Sequence, residues 1–285
     1  MSKIVKAVAL MFALLATQAH PGRADVQGDM MRSLVGKYGA SVVTLRMVLK
    51  SAAGGGSDQA QIEANGIVID ASGLVATTNT AIDPASMYAG MMGGDSAEMA
   101  TSIVSARIRL SSGEELPARV VLRDRDRNLA FVRPIKRPAK PLTAVNFRGK
   151  SSARLGEAIT IVGRLGKAGS RQSQAIVQRV VGVVDKPRRL YVLEPYAYVY
   201  LGNVVFNEAG QPLGLLSMRV VAGGRGVSSL DSFLAVVIPM SDVWDVALQA
   251  PQAKDVRPTK AAPATTKTSK TTSSPKKTAP PAAKS

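Results

Sequence analysis

Short runs of aliphatic and β-branched residues recur along most of the chain, and glycine-containing turns separate them. Runs of this length and composition are typical of strands, and their spacing of roughly 8 to 12 residues is typical of sandwiches and barrels. The pattern therefore predicts an all-β fold. The predicted strands cover residues 42–48, 66–70, 74–78, 106–110, 117–122, 157–163, 174–184, 189–194, 203–207, 212–219 and 234–239.

Turns and helices are predicted between and beside these strands. Hairpin turns are predicted at 71–73 and at 111–114, each with a glycine between two strand-like runs. Apolar residues at helical spacing predict an N-terminal helix over 27–38. A second short helix is expected over 241–248, with Ser241 as its N-terminal cap. The Met- and Gly-rich segment 85–101 has no periodicity and is expected to be a surface loop.

The first 24 residues have the three parts of a signal peptide. Lys3 and Lys6 precede an apolar run, and small residues offer cleavage after Ala19 or Ala24. The run is too short to span roughly 30 Å of hydrocarbon. We therefore expect an exported protein, periplasmic or extracellular, whose folded part is residues 25–250. An uncleaved membrane anchor is the alternative.

The formal net charge is +17, and residues 251–285 carry +7 of it. This tail consists almost wholly of Lys, Ala, Pro, Thr and Ser, a composition that predicts disorder. It is either a solubilising spacer or an electrostatic tether to an anionic envelope polymer or lipid surface. It has no aromatic side chain for stacking on bases, so no sequence-specific nucleic acid partner is expected. The tether's candidate contacts are Lys260, Lys267, Lys270, Lys276 and Lys277.

The types of residue present limit the available chemistry. The chain has no cysteine, and its single histidine, His20, lies in the predicted signal peptide. A Cys nucleophile and a His base are thus both missing after cleavage, and no metal or cofactor site is expected. A Ser–Lys pair formed by Lys150 with Ser151 or Ser152 is an alternative, although these residues also suit a solvated basic turn.

The order of the strand motifs resembles the trypsin-like HtrA (DegP) serine peptidases over residues 38–250. Residues 66–79 are similar to the family's G-x-I-I-D-x-x-G-x-I-L-T-N strand pair, and 109–121 to its L-x-D-G hairpin. The other matching segments are 124–130, 158–163, 207–215 and 235–239. The resemblance implies two antiparallel six-stranded-type β-barrels, about 40–145 and 150–240, with the active site between them. The tail stands where the family usually has a PDZ domain.

Carried over one position at a time, the family's catalytic residues are all replaced. The histidine falls on Thr80, the aspartate on Asn128 and the serine on Leu201, while the oxyanion-hole glycine falls on Val199. None of these side chains supplies the base, the carboxylate or the nucleophile that acyl transfer needs. The alternative is that the motifs are generic hairpins and these are ordinary strand residues.

The function expected from this resemblance is therefore non-catalytic. We expect a secreted pseudoprotease that binds a peptide or protein in its cleft. If the segment is extended, the alternating Tyr196, Tyr198 and Tyr200 share one face and form a ligand-binding row, unless they pack on the second barrel's own core. Two alternatives stay open: an active serine-type peptidase with unrecognised catalytic residues, and a structural protein with a filled cleft.

Overall fold

The computed structural model describes residues 25–51, 59–84, 101–220 and 233–251. Strands dominate this part of the chain, and short helices lie near both of its ends, so the all-β prediction is confirmed. The predicted signal peptide, nearly all of the predicted loop over 85–101 and the tail beyond residue 251 lie outside the described residues.

The first half of the chain forms a closed antiparallel barrel of six strands. Its hydrogen-bonded order is β1-β2-β3-β6-β5-β4, and β4 closes the circle on β1. The strands are β1 (Val42–Ser51), β2 (Gln59–Asp70), β3 (Leu74–Thr78), β4 (Thr101–Arg109), β5 (Glu115–Asp124) and β6 (Leu129–Pro134). Both predicted hairpins are present. At the first, Gly73 has φ +97°, a conformation that glycine adopts without strain, and its N–H donates to Asp70 O at 2.9 Å.

The second half forms a seven-stranded antiparallel sheet where a second barrel was expected. Its order is β8-β7-β11-β12-β13-β10-β9, so that β8 and β9 are its two edges. The strands are β7 (Ala158–Arg164), β8 (Ser173–Arg179), β9 (Gly182–Val184), β10 (Leu190–Val192), β11 (Val204–Phe206), β12 (Pro212–Val220) and β13 (Phe233–Pro239).

The single strand predicted over 174–184 is divided into β8 and β9. The Val180 N–H donates to Glu157 O at 3.1 Å, but the next N–H, that of Val181, donates to Val192 O at 2.9 Å. The chain leaves β7 at this point and joins β10. The change of partner ends one strand and begins the other, and no local pattern in the sequence marks it.

Three α-helices accompany the strands within the described ranges. Helix α1 (Val26–Tyr38) is capped by Asp25, whose carboxylate accepts from the Gly28 N–H at 3.0 Å. Helix α2 (Asn79–Ile82) is a single turn that the sequence did not predict. Helix α3 (Met240–Ala247) begins after Pro239. The predicted cap by Ser241 is wrong, because this residue lies inside the helix and its hydroxyl donates to Asp242.

A shared apolar core holds the two halves together. Ile67 and Phe131 of the barrel belong to the same buried cluster as Phe206 and Ile238 of the sheet. Helix α1 covers one side of this cluster, where the Tyr38 ring stacks on Phe206 at a centroid distance of 4.8 Å. Because burial of apolar surface is the main stabilising term, this core fixes the cleft between the halves.

Arg164, at the end of β7, adds polar contacts across the same junction. Its guanidinium donates to three backbone carbonyls: Val42 O at 2.6 Å, Gly39 O at 2.8 Å and Arg171 O at 3.0 Å. Burial lowers the pKa of Arg164 from its ordinary value. The side chain therefore joins β7 to the segment that leads from α1 into β1.

Candidate functional site

Strand pairing between β3 and β6 creates the centre of the candidate site. Thr78, the last residue of β3, lies opposite Leu129, the first residue of β6. The residues just outside this pair therefore meet: the Asn79 N–H donates to Asn128 O at 3.1 Å. Thr80 follows in α2, whose first turn is capped by the Thr78 hydroxyl.

Thr80 and Asn128 are joined by two hydrogen bonds. The Thr80 N–H donates to Asn128 Oδ1 at 3.0 Å, and Asn128 Nδ2 donates to Thr80 Oγ1 at 3.1 Å. Asn128 has φ +53°, in the left-handed region that Asn tolerates better than most residues. The two positions predicted from the motifs are thus in direct contact, although they are 48 residues apart in sequence.

Asn128 also contacts the second half of the fold. Its Nδ2 lies 2.9 Å from Met218 O and 3.2 Å from Ser217 Oγ on β12. An amide has only two N–H bonds, so these two acceptors and Thr80 Oγ1 share two hydrogens. The side chain therefore links α2, the β5–β6 turn and β12 at one point, a contact that the sequence did not predict.

This arrangement has no group that takes up a proton near neutral pH. A threonine hydroxyl is not a base, and an asparagine amide carries no charge with which to stabilise a cation. The histidine of the chain, His20, lies outside the described residues. The contact between Thr80 and Asn128 is therefore suited to holding structure rather than to moving protons.

The structure places Leu201 in a different hollow. Leu201 and Val199 line a space of about 270 Å³, together with Leu165 and with Ala81, the neighbour of Thr80. Val199 belongs to the 3₁₀ helix Pro195–Tyr200 and is 60% exposed, while Leu201 is half-buried. The structure thus brings Thr80 and Asn128 together, and it places Leu201 and Val199 in a separate hollow, beside Ala81.

The expected row of tyrosines does not form in the way that the alternation predicts. Residues 195–200 are a 3₁₀ helix, in which residues three apart share a side, so Tyr196, Tyr198 and Tyr200 point in different directions. Tyr200 packs against the core of the second half, while Tyr196 and Tyr198 are exposed. The prediction of an extended segment is wrong. Pro195 is the first residue of the 3₁₀ helix, and proline at this position favours a helical start.

A cleft of about 370 Å³ opens beside Thr80 and Asn128, between the β5–β6 turn and strands β10, β12 and β13. Four arginines line it, from three separate segments: Arg125, Arg127, Arg188 and Arg219. The first two are close together in sequence, but no sequence pattern predicts that Arg188 and Arg219 lie near them. Only the order β12-β13-β10 brings these two to the same cleft.

The acidic residues of the β5–β6 turn form ion pairs with arginines. Asp124 pairs with Arg127 at 2.7 Å, and Asp126 pairs with Arg188 at 2.7 Å. Burial raises the pKa of the Asp124 carboxyl, but hydrogen bonds from Arg127 outweigh it, and the pKa lies below its usual range. The Arg127 guanidinium donates a hydrogen bond to the Asp124 carboxylate, and this raises the pKa of Arg127 from its ordinary value. Both partners thus stay charged at neutral pH.

The alternative Ser–Lys chemistry finds little support in the geometry. The Ser151 hydroxyl donates to the backbone carbonyl of Pro212 at 2.5 Å. Its proton is therefore directed at a carbonyl rather than toward a lysine.

Among the described residues, no group of three or more His, Asp or Glu side chains is arranged to hold a metal ion. Within the same residues, no helix combines the length and apolar character that crossing a bilayer demands.

A closed six-stranded barrel packed on a second antiparallel sheet, with Thr80 and Asn128 at the junction, defines a two-part β fold of the peptidase type. The family model for the trypsin-like peptidase domain matches residues 64–215. This match spans more than half of the chain and includes Thr80, Asn128 and Leu201, and the chain belongs to this family. No curated protein matches the chain.

Proposed function

We propose that this chain is a non-catalytic, HtrA-like member of the trypsin-like family and that it acts as a binding or scaffold protein. The observation that carries the proposal is the pair of hydrogen bonds between Thr80 and Asn128. These residues occupy the positions that the motif order assigns to the base and to its orienting carboxylate. Their contact at the junction of barrel and sheet supports that assignment.

The chemistry of the replacements argues against acyl transfer at this site. A serine peptidase needs a hydroxyl nucleophile, a base to accept its proton and a charged partner to stabilise the protonated base. Leu201 has no hydroxyl, and neither Thr80 nor Asn128 performs the other two roles. The same fold with a neutral, hydrogen-bonded pair retains a cleft for binding, which is the function we assign to it.

The decisive experiment measures covalent labelling and turnover together. The mature protein is treated with a fluorophosphonate probe, which reacts with activated serines, and casein cleavage is followed in parallel beside an active trypsin-fold peptidase. We expect neither labelling nor turnover. Labelling that heat denaturation abolishes, or casein cleavage that co-purifies with the protein, would refute the proposal. Mapping the labelled residue would then identify the true nucleophile.

We further propose that the protein is exported and that its basic tail holds it at an anionic envelope surface. The support is the N-terminal pattern around Lys3 and Lys6 and the +7 charge of residues 251–285. The test replaces Lys260, Lys267, Lys270, Lys276 and Lys277 by Gln in the otherwise complete chain. We expect weaker sedimentation with vesicles containing anionic lipid and no change with neutral vesicles. Equal binding by both proteins would refute the tether.

A further inference from the structure

The cleft beside Asn128 carries an excess of positive charge. In the part of the chain that the structure describes, four arginines line it, against one carboxylate, that of Asp126. The arginines come from the β5–β6 turn, from the segment before β10 and from β12, so they surround the opening rather than follow one strand. Concave sites lined by one sign of charge concentrate ligands of the opposite sign.

Two of these arginines have no ion-pair partner within the described part of the chain. Arg125 is exposed and Arg219 is half-buried, and neither forms a salt bridge there, whereas Arg127 is held by Asp124. Arg188 pairs with Asp126, but the Asp126 side chain is 78% exposed. Exposed pairs contribute little to stability, so Arg188 is also available to a competing carboxylate.

The floor of the cleft is apolar. Leu190 of β10, Met218 of β12, and Val236 and Ile238 of β13 line it below the arginines. Strand β12 also presents an edge here, because it pairs with β11 only as far as Leu215, while its pairing with β13 continues to Val220. A ligand that fits this site has carboxylates at its ends or flanks and an aliphatic group between them.

We propose that this cleft binds acidic peptide segments that contain an aliphatic side chain. The ligand's carboxylates pair with Arg125 and Arg219, whose planar guanidinium groups bind carboxylates in a bidentate manner. Its aliphatic side chain contacts the floor around Leu190 and Ile238. This inference rests on the proposed binding function and adds the class of ligand to it.

The lining favours a peptide over a nucleic acid. Among the described residues, those that line the cleft include no aromatic side chain, and single-stranded nucleic acids depend on aromatic stacking for much of their affinity. The basic tail repels a cationic ligand and attracts an acidic one, so the cleft and the tail select the same sign of charge.

The test measures binding of two fluorescent peptides to the complete chain by anisotropy. One peptide alternates Glu with Leu, and the other alternates Glu with Gly, so that the charge is the same and only the aliphatic group differs. The cleft variant is R125Q/R219Q. The control variant, R137Q/R154Q, removes the same charge from exposed arginines elsewhere, and both variants keep the tail.

We expect the Glu–Leu peptide to bind about tenfold more weakly to the cleft variant than to the control variant. We also expect it to bind the unmodified protein more tightly than the Glu–Gly peptide. Equal affinities of the two variants, or of the two peptides, would overturn the inference, because binding would then reflect total charge alone. A thymidine oligonucleotide that shows the same dependence on Arg125 and Arg219 would also overturn it, in favour of nucleic acid.

The result of the peptide-binding test can be distinguished from the result of the test for catalysis. Binding of the Glu–Leu peptide followed by its cleavage would refute the non-catalytic function but leave the acidic selectivity in place. Absence of binding together with absence of labelling by the fluorophosphonate probe would refute only the choice of ligand. Circular dichroism of R125Q/R219Q shows whether the variant is folded, and both side chains lie at the surface of the cleft.

Discussion

Thr80 donates its backbone N–H to Asn128 Oδ1 at 3.0 Å, while Asn128 Nδ2 donates back to Thr80 Oγ1 at 3.1 Å. A carboxylate in place of the amide has no hydrogen to donate, so it loses the bond to Met218 O, which can only accept. At this position an amide therefore fits its hydrogen-bond partners better than a carboxylate does. In this chain Asn128 joins the barrel to the sheet through its bonds to Ser217 and Met218.

Replacing Asn128 by Ala should destabilise the fold by about 4 kcal/mol, of which lost hydrogen bonds account for about 3 and the left-handed backbone for about 1. The change removes the hydrogen bonds to Thr80, Ser217 and Met218, each with a net contribution of about 1 kcal/mol, and leaves Ala in the left-handed region. The free energy of unfolding in urea measures the loss. Asn128→Gly is the control, because glycine adopts φ +53° without strain, and it should be about 1 kcal/mol less destabilising. A variant N128A as stable as the unmodified protein would contradict the linking role.

Gly202, next to Leu201, should not tolerate a side chain. It has φ +80°, and a Cβ there would lie 2.3 Å from Asn65 O and 2.8 Å from Thr77 Oγ1. Because Asn65 O and Thr77 Oγ1 are themselves joined by a hydrogen bond of 2.7 Å, neither can retreat freely. We expect G202A to lower the free energy of unfolding by about 3 kcal/mol or more.

The control for Gly202 is Gly156→Ala, at φ +81° with no atom within 4 Å of the new Cβ. This variant carries only the backbone strain of about 1–2 kcal/mol. Similar losses for G156A and G202A would show that crowding at Asn65 has no effect on stability.

Arg164 should be needed to hold the β1 segment against the sheet. The variant R164M keeps an apolar stem but leaves the carbonyls of Gly39, Val42 and Arg171 without this donor, which should cost about 3 kcal/mol. Amide hydrogen exchange around residues 39–42 should become faster in the same variant. The matched change R179M removes one exposed hydrogen bond, to Gly156 O, and should have a small effect. Equal losses in both variants would refute the joining role of Arg164.

The strands and turns of this fold were accessible from the sequence because their signals are local. The hairpin at Gly73 needs only a glycine between two apolar runs, and the motif order was enough to locate Thr80 and Asn128. The signal at Pro195 was equally local but was outweighed by the alternation of tyrosines, which predicts an extended segment where the structure has a 3₁₀ helix. Proline at a helix start was the available sign.

The arginine-lined cleft beside Asn128 could not be predicted from the sequence, because its residues are distant in sequence. Arg125 and Arg219 lie on different halves of the fold, and Arg188 reaches them only through the order of β10, β13 and β12. Sequence pattern alone contains no information on which strands become neighbours at such separation. The division of the predicted strand over 174–184 has the same origin, since it follows from a change of pairing partner.

Acid should weaken the contact between Glu63 of the barrel and Arg171 of the second half. Arg171 donates to both carboxylate oxygens, at 2.7 and 3.0 Å, and this hydrogen bonding holds the pKa of Glu63 below its usual value despite partial burial. A carboxyl whose pKa is lowered by folding stabilises the fold above its unfolded pKa, about 4.3 for Glu, and this contribution is lost as pH falls through the folded pKa.

The variant R171Q should therefore be less stable than the unmodified protein at pH 7, and the difference should shrink as pH falls below about 4.3. Urea unfolding at a series of pH values between about 7 and 3 measures it. The control R154Q removes an exposed arginine whose distance to Glu157 is 3.8 Å, so its effect should be small at every pH. A stability difference between R171Q and the unmodified protein that stays constant down to pH 3 would show that Glu63 does not lose this partner on protonation. It would also remove the physical basis for an acid-sensitive contact between the two halves.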